Sequence, residues 1–265
     1  MKKILSHSIL LGLLLALPVL AAPSPTAIEN QPDVVFLGKA RDPKTGKMVE
    51  GIKFIHYKKA PSHQKSGAKS GTSSCFAYLA KGAKWKTIEP WVMNGANSEA
   101  LDSALLFGLE SASLAKWEEA ADGIVGNGVG VEIFGTGSAT SSTLVADTSS
   151  PDGQNEVYFG DVSNPGVIAV TIVWGIFGGP ISGRELVEWD QIYDQVDFDW
   201  SAEAGGVAGK MDFDNIATHE NGHSGGISHP SDSCTEETMY RFSANGETKK
   251  RDLNTGDING INLLY

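Results

Sequence analysis

Apolar and polar positions alternate through VVFLGKARDPKTGKMVEGIKFIHYKKA, residues 34–60, on either side of an Asp-Pro and a Thr-Gly. That pattern predicts a short hairpin. Further on, TIEPWVMN reads as a strand. The period then changes. From Ser98 to Ala120 it becomes helical, with Ser98 placed to cap and Glu99 and Asp102 in the first turn. Leu101, Leu105, Leu109 and Ala112 form the expected buried stripe, widened by Leu106 and Trp117. GVEIFG and NEVYFG read as short strands around the turn-rich loop TSSTLVADTSSPDGQ. GVIAVTIVWGIF, residues 166–177, is a strong β run stopped by Gly-Gly-Pro. RELVEWDQIYD is a further strand, with Asp190 in its middle. LNTGDINGINLLY predicts a closing helix with Ile258, Ile261 and Leu264 on one face. No internal repeat is visible, and no accessory domain is expected.

The segment ATHENGHSGGISHPSDSCTEETMY, residues 217–240, holds three of the six histidines. His219 and His223 are four apart, so a helix puts both imidazoles on one face, within reach of one ion. Glu220 lies on the flank of that face, where a carboxylate can reach a metal-bound water without ligating the metal. Asp212 or Asp214 can cap this helix. Gly225 and Gly226 end it, and a left-handed glycine there turns the chain back to bring in His229. Three neutral nitrogen ligands and one open position make the pattern of a catalytic zinc.

The chain opens MKKILSHSILLGLLLALPVLAAPS: two lysines, an apolar run, then small residues. Residues 1–21 read as a secretory signal peptide, with an apolar run too short for a comfortable membrane span. The expected protein is exported, without a membrane anchor, and monomeric. Its formal charge of −11 becomes more negative once Lys2 and Lys3 leave. That argues against nucleic acid and anionic membranes as partners.

Residues 22–75 are polar and lysine-rich, and end in the Ser/Gly/Lys linker PSHQKSGAKSGTSS. They read as an N-terminal extension, or as a basic pro-segment held by charge on an acidic body. His56 and His63 fall here and read as surface histidines. Residues 76–265 are the expected catalytic domain. The two cysteines, Cys75 and Cys234, suggest a disulfide in an exported chain. The alternative is a Cys75 thiolate that caps the metal and keeps the site latent.

The histidine segment, Met239 in ETMY and the last helix together resemble the metzincin clan of zinc endopeptidases and, within it, the matrixin family. The resemblance spans roughly residues 85–265. It implies an α+β zincin fold: a twisted, mostly parallel sheet with an antiparallel edge strand, an active-site helix, a Met-turn at Met239 and a C-terminal helix. GVIAVTIVW is similar to the family's edge strand, which implies that extended protein or peptide substrates pair along it. The chain also departs from the family pattern. Asn221 and Gly225 stand where apolar residues are usual. Val170 and Thr171 stand where a histidine for a structural zinc is usual, so no structural zinc is predicted. Arg241, two after Met239, replaces the tyrosine that some relatives use as a ligand.

The expected chemistry is peptide hydrolysis. Zinc on His219, His223 and His229 activates water, Glu220 acts as general base and then acid, and Met239 floors the site. Calcium is a second expected ion, because DTSSPDGQNE and DFDWSAEAGG offer carboxylates and carbonyls in loops. Solvated acidic loops are the plainer explanation. Two other functions stay open: a catalytically silent zinc-binding module, and a zinc amidase acting on a non-protein amide such as peptidoglycan.

Overall fold

The computed structural model describes residues 32–58 and 74–265. The expected signal peptide, His63 and nearly all of the linker lie outside the described residues. The hairpin forms as β1 (Val34–Arg41) and β2 (Met48–Lys58). Its turn is held by Asp42, whose side chain accepts from the amides of Lys44 and Thr45. Gly46 supplies the left-handed residue, at φ +71°.

The remaining strands are β3 (Ala77–Tyr78), β4 (Trp91–Asn94), β5 (Gly137–Ala139), β6 (Asn155–Gly160), β7 (Val167–Ile176), β8 (Glu185–Asp194), β9 (Trp200–Ser201), β10 (Met211–Asp212), β11 (Ile227–Ser228) and β12 (Phe242–Ser243). Three α-helices complete the described fold: α1 (Ser103–Ala120), α2 (Phe213–Ser224) and α3 (Thr255–Leu264).

The main sheet runs β1-β2-β7-β8-β6-β4-β5, with β12 also pairing β2. One half, β8-β6-β4-β5, is parallel. The other, β8-β7-β2-β1, is antiparallel. The fold is therefore α+β with a mixed sheet. β7 is antiparallel to β8, as the resemblance implies, but it is not an edge. β2 covers its outer side along Glu50–Tyr57, and β1 becomes the outermost strand. The hairpin is thus continuous with the sheet of the 76–265 unit.

The helices pack on one face of the sheet, and their core gathers Trp117, Trp189, Trp200, Phe213, Met239 and Ile261. A second apolar layer lies on the other face, where Val49, Ile55 and Tyr57 of β2 meet Val170, Ile172 and Trp174 of β7. β7 is buried on both faces, which accounts for its unbroken apolar sequence.

Two sequence expectations change. The first helix starts at Ser103, not Ser98. Ala100 has φ +53°, which breaks helical geometry, and the Asp102 side chain caps by accepting from Ala104 N at 2.8 Å. Ser98 instead pairs with Gln195. The buried face is also rotated. Leu106, Glu110, Ser113, Leu114, Trp117 and Ala120 face inward, while Leu105 is 47% exposed. Two polar residues belong to that inward face, so an apolar count misplaced it. The second change is GVEIFG, which is not a strand. The Glu118 carboxylate takes the amides of Ile133 and Phe134, both at 2.9 Å, and leaves them no ladder to join. The short strand β5 forms just beyond.

The revised helix start is testable by urea unfolding. Asp102→Ala should cost about 1 kcal/mol, whereas Ser98→Ala should stay within about 0.5 kcal/mol.

Candidate metal centre

Asp212 caps α2, its side chain accepting from Asn215 N at 2.9 Å and pairing with Arg251. The helix then carries His219 and His223 one turn apart. Gly225 closes it, and Gly226, at φ +96°, reverses the chain. β11 follows, pairs with β3, and delivers His229. His229 Nε2 lies 3.2 Å from His219 Nε2 and 3.1 Å from His223 Nε2.

Each ring's other nitrogen is held. His219 Nδ1 meets Thr238 O at 2.6 Å, His223 Nδ1 meets Ile227 O at 2.8 Å, and His229 Nδ1 meets Asp33 Oδ2 at 2.8 Å. Those acceptors require Nδ1–H, so each neutral ring turns a bare Nε2 lone pair toward the same point. Burial holds His219 and His223 well below the usual imidazole range, helped by neighbouring positive groups; it also lowers His229, against the pull of Asp33. Three convergent acceptors with no proton between them cannot bond one another. A cation is the partner that fits.

The floor is built by close approach. Met239 is fully buried, and a Cβ on Gly222 would strike Met239 Sδ and lie 2.6 Å from Trp117 Cζ2. Only glycine lets α2 settle onto Met239 and α1. The Met239 loop is fixed from α3. Asp257, in the capping box with Asn254, accepts from Thr238 N at 2.7 Å and Met239 N at 3.2 Å. Thr238 O in turn holds His219. A short path therefore runs from the cap of the last helix to one of the three converging rings.

Asn221 does not weaken the packing of α2. It donates to Ser113 Oγ of α1 and accepts from Gln191 Nε2 of β8, at 2.9 and 2.8 Å. Tyr193 extends the network to Gln191 and Glu110. Burial pushes Glu110 up to about 8, so it holds its proton at neutral pH. A buried polar network replaces the apolar contact, with Glu110 Oε1 as its one member without a hydrogen-bond partner.

Glu220 is fully buried beside the three rings. Thr171 Oγ1 of β7 donates to its Oε2 at 2.6 Å, and His56 Nδ1 of β2 lies 2.9 Å from its Oε1. Burial pushes Glu220 up to about 8, against the Thr171 hydrogen bond. His56 is therefore not a surface histidine: it is 1% exposed, lies tilted against His219 with ring centroids 3.9 Å apart, and meets Ser243 Oγ and Lys250 Nζ at 3.0 and 3.1 Å. Phe54 stacks on His223 at 4.0 Å. Lys250 is also fully buried; it donates to Tyr240 O, and burial lowers it to about 7.

A family model described as Matrixin matches residues 130–265, just over half of the chain and all three histidines. The chain belongs to the matrixin family. Matrixins are zinc-dependent metalloproteases of metzincin fold that act on peptides, and the histidine triad of this matrixin is compatible with their zinc. No curated protein matches the chain.

Cys75 and Cys234 are joined in a disulfide, so Cys75 is not a thiolate latch. Elsewhere in this matrixin, Asp147, Glu188 and Asp190 gather with ligand oxygens within 4.8 Å of one another. Glu188 accepts from Gly153 N and Asp190 from Asp147 N, while Asp147 Oδ2 and Glu188 Oε1 have no hydrogen-bond partner. Burial raises all three carboxylates, Glu188 up to about 10. Residues 197–206 bring no such group together among the described residues. No described helix is long and apolar enough to cross a membrane.

Gly222→Ala tests the floor. It should cost about 1–3 kcal/mol in chemical denaturation, because the added methyl meets both Met239 and a packed tryptophan.

Proposed function

We propose that this matrixin is a secreted zinc endopeptidase, with zinc on His219, His223 and His229 and Glu220 as general base. The convergence of three Nε2 atoms, each set by a held Nδ1, carries the reading. A zinc ion there supplies Lewis acidity that activates water and polarises a peptide carbonyl. The chain's own residues do the rest. Glu220 takes the proton and returns it to the leaving amine, a dual role suited to a carboxylate raised toward neutrality. Thr171 orients the carboxylate by holding the second oxygen. Met239 keeps the underside of the rings dry. Residues 1–21 support export, and the charge balance supports soluble protein substrates over nucleic acid.

Casein cleavage tests the reading. Zinc-loaded protein without its leader is assayed intact and after cutting within residues 59–73, because the hairpin lies against the site. Cleavage should stop with chelator and should fall by roughly 10²–10⁴-fold in Glu220→Ala, which keeps its zinc. If both forms of the wild type bind zinc and neither cuts casein, the peptidase reading fails. The silent zinc module would then lead, with peptidoglycan amides the next substrates to assay.

Among the described residues, one carboxylate group suits calcium. Asp147, Glu188 and Asp190 offer the hard oxygen donors it prefers, and an unpartnered, buried carboxylate oxygen faces no counter-charge. Millimolar calcium should raise the melting temperature of the wild type by several degrees, about what ~1–2 kcal/mol of binding linkage gives. Glu188→Gln should lose most of that rise. Equal shifts in the two proteins would reject the site.

A further inference from the structure

We infer that a groove beside α3, separate from the metal centre, binds a long-chain fatty acid, with the apolar tail laid on aromatic and aliphatic side chains and the carboxylate set among Lys81, Lys84 and Lys86. Such binding holds whether or not the metal centre cleaves peptides.

The groove holds about 660 Å³, within the range of small-molecule sites. Its floor is apolar. Phe76 and Tyr78 come from the start of the catalytic body, and Leu264 from the last turn of α3. Ile181 and Leu263 stand at its rim, 53% and 70% exposed. Close approaches give it shape. A Cβ on Gly260 would lie 2.9 Å from Phe76 Cβ, so only glycine lets that side chain settle on α3. Tyr78 is fixed at the same place, its hydroxyl donating to Gly260 O at 3.2 Å. Gly82, at φ +77°, turns another wall inward, and a Cβ there would strike Ile181. Arg184 ties that wall down by donating to Lys81 O at 2.8 Å and to Gly179 O. The groove is therefore formed before any ligand arrives.

Its charge is the reverse of the protein's. The chain carries a formal −11, yet the charged residues that line the groove are three lysines and no carboxylate. Lys81 and Lys84 make no ion pair among the described residues, and Lys84 Nζ lies over the Tyr265 ring, 5.4 Å from its centroid. Lys86 has one distant carboxylate, Glu185 at 3.8 Å, which sits closer to Lys47 at 2.6 Å. Ammonium groups around an apolar floor match a ligand that is anionic at one end and apolar elsewhere.

The polar groups on offer favour a hydrocarbon tail over a peptide. A peptide brings N–H donors that need acceptors once buried. The carbonyls of the lining residues Lys81, Lys84 and Ser182 are already engaged, by Arg184, by Leu186 N and by Lys86 Nζ. What remains is mostly donor, which suits a carboxylate. The chain's own linker is a poor occupant, because Lys59, Lys65 and Lys69 repeat the groove's sign.

The test titrates the chain without its leader with the fluorescent fatty acid cis-parinarate, below micelle formation and in about 0.15 M salt, where distant charges are screened. One parinarate should bind per chain, and palmitate should displace it while methyl palmitate does not. Lys81→Glu/Lys84→Glu should weaken binding at least about tenfold, and so should Ile181→Ser/Leu263→Ser, which changes only exposed side chains. Lys39→Glu/Lys53→Glu alters the net charge equally on β1 and β2, and should leave the affinity within about twofold. Should the charge-reversed groove fail to fold, Lys81→Met/Lys84→Met decides: a several-fold loss supports the site, and an unchanged affinity rejects it. Absence of saturable binding overturns the inference. Displacement by methyl palmitate as strong as by palmitate does the same, as does an equal loss in both charge-reversed pairs, since neither needs a carboxylate at Lys81 and Lys84. A synthetic peptide of residues 59–73 that displaces parinarate would give the groove to the chain's own linker and reject the fatty acid. A dimer in sedimentation that dissociates in Ile181→Ser/Leu263→Ser, with no parinarate bound, would give the face to a second copy and reject it equally.

Discussion

Three bare imidazole nitrogens pointing at one another is an arrangement that the rings themselves do not favour. Their lone pairs repel, and burial removes the water that would otherwise separate them. The arrangement persists because each ring is fixed from behind, by Thr238 O, Ile227 O and Asp33 Oδ2. Those three partners come from different parts of the chain: the Met239 loop, the turn after α2, and the start of the hairpin. Much of the architecture serves to bring them together. Asp257 at the cap of α3 steadies the first, Gly226 makes the second, and the pairing of β1 with β2 positions the third. The convergence of the rings thus depends on two backbone carbonyls and one carboxylate, of which Thr238 and Asp33 lie far from their histidines in sequence.

The parts legible in the sequence were those with local physics. The helix of His219 and His223, its Asp212 cap and its glycine stop all follow from spacing and from residues that act within a few positions of themselves. β6, β7 and β8 were read from unbroken or alternating β patterns for the same reason. Where the reading failed, a side chain distant in sequence had taken over the backbone. Glu118 captured the amides of residues 133 and 134 and prevented a strand. The inward face of α1 included Glu110 and Ser113, which an apolar count assigns to solvent, because Tyr193 and Asn221 meet them from other elements. Asn221 itself signalled this: a polar residue in a buried helix asks for partners on whatever packs against it.

His56 was the residue most misread. Set between lysines and tyrosine in a basic segment, it has the local appearance of a surface residue. Its placement depends entirely on β2 choosing the outer side of β7. One signal was available. Phe54 and His56 are two apart in IKFIHYK, so in a strand they share a face. A histidine on the same face as a buried phenylalanine needs partners for both nitrogens, and in this chain those partners are Glu220 on one side and Ser243 with Lys250 on the other.

The hairpin meets the three rings in two ways. Phe54 and His56 pack on the rings of His223 and His219, and His56 also meets Glu220. Asp33 acts from behind: a carboxylate on Nδ1–H makes an imidazole a better ligand and fixes its orientation, and Asp33 is the partner of His229. The other two rings take their partners, Thr238 O and Ile227 O, from residues that follow the hairpin in sequence. Only the third ring therefore depends on the hairpin for its tautomer, and the pairing of β1 with β2 and of β2 with β7 is what carries Asp33 to it.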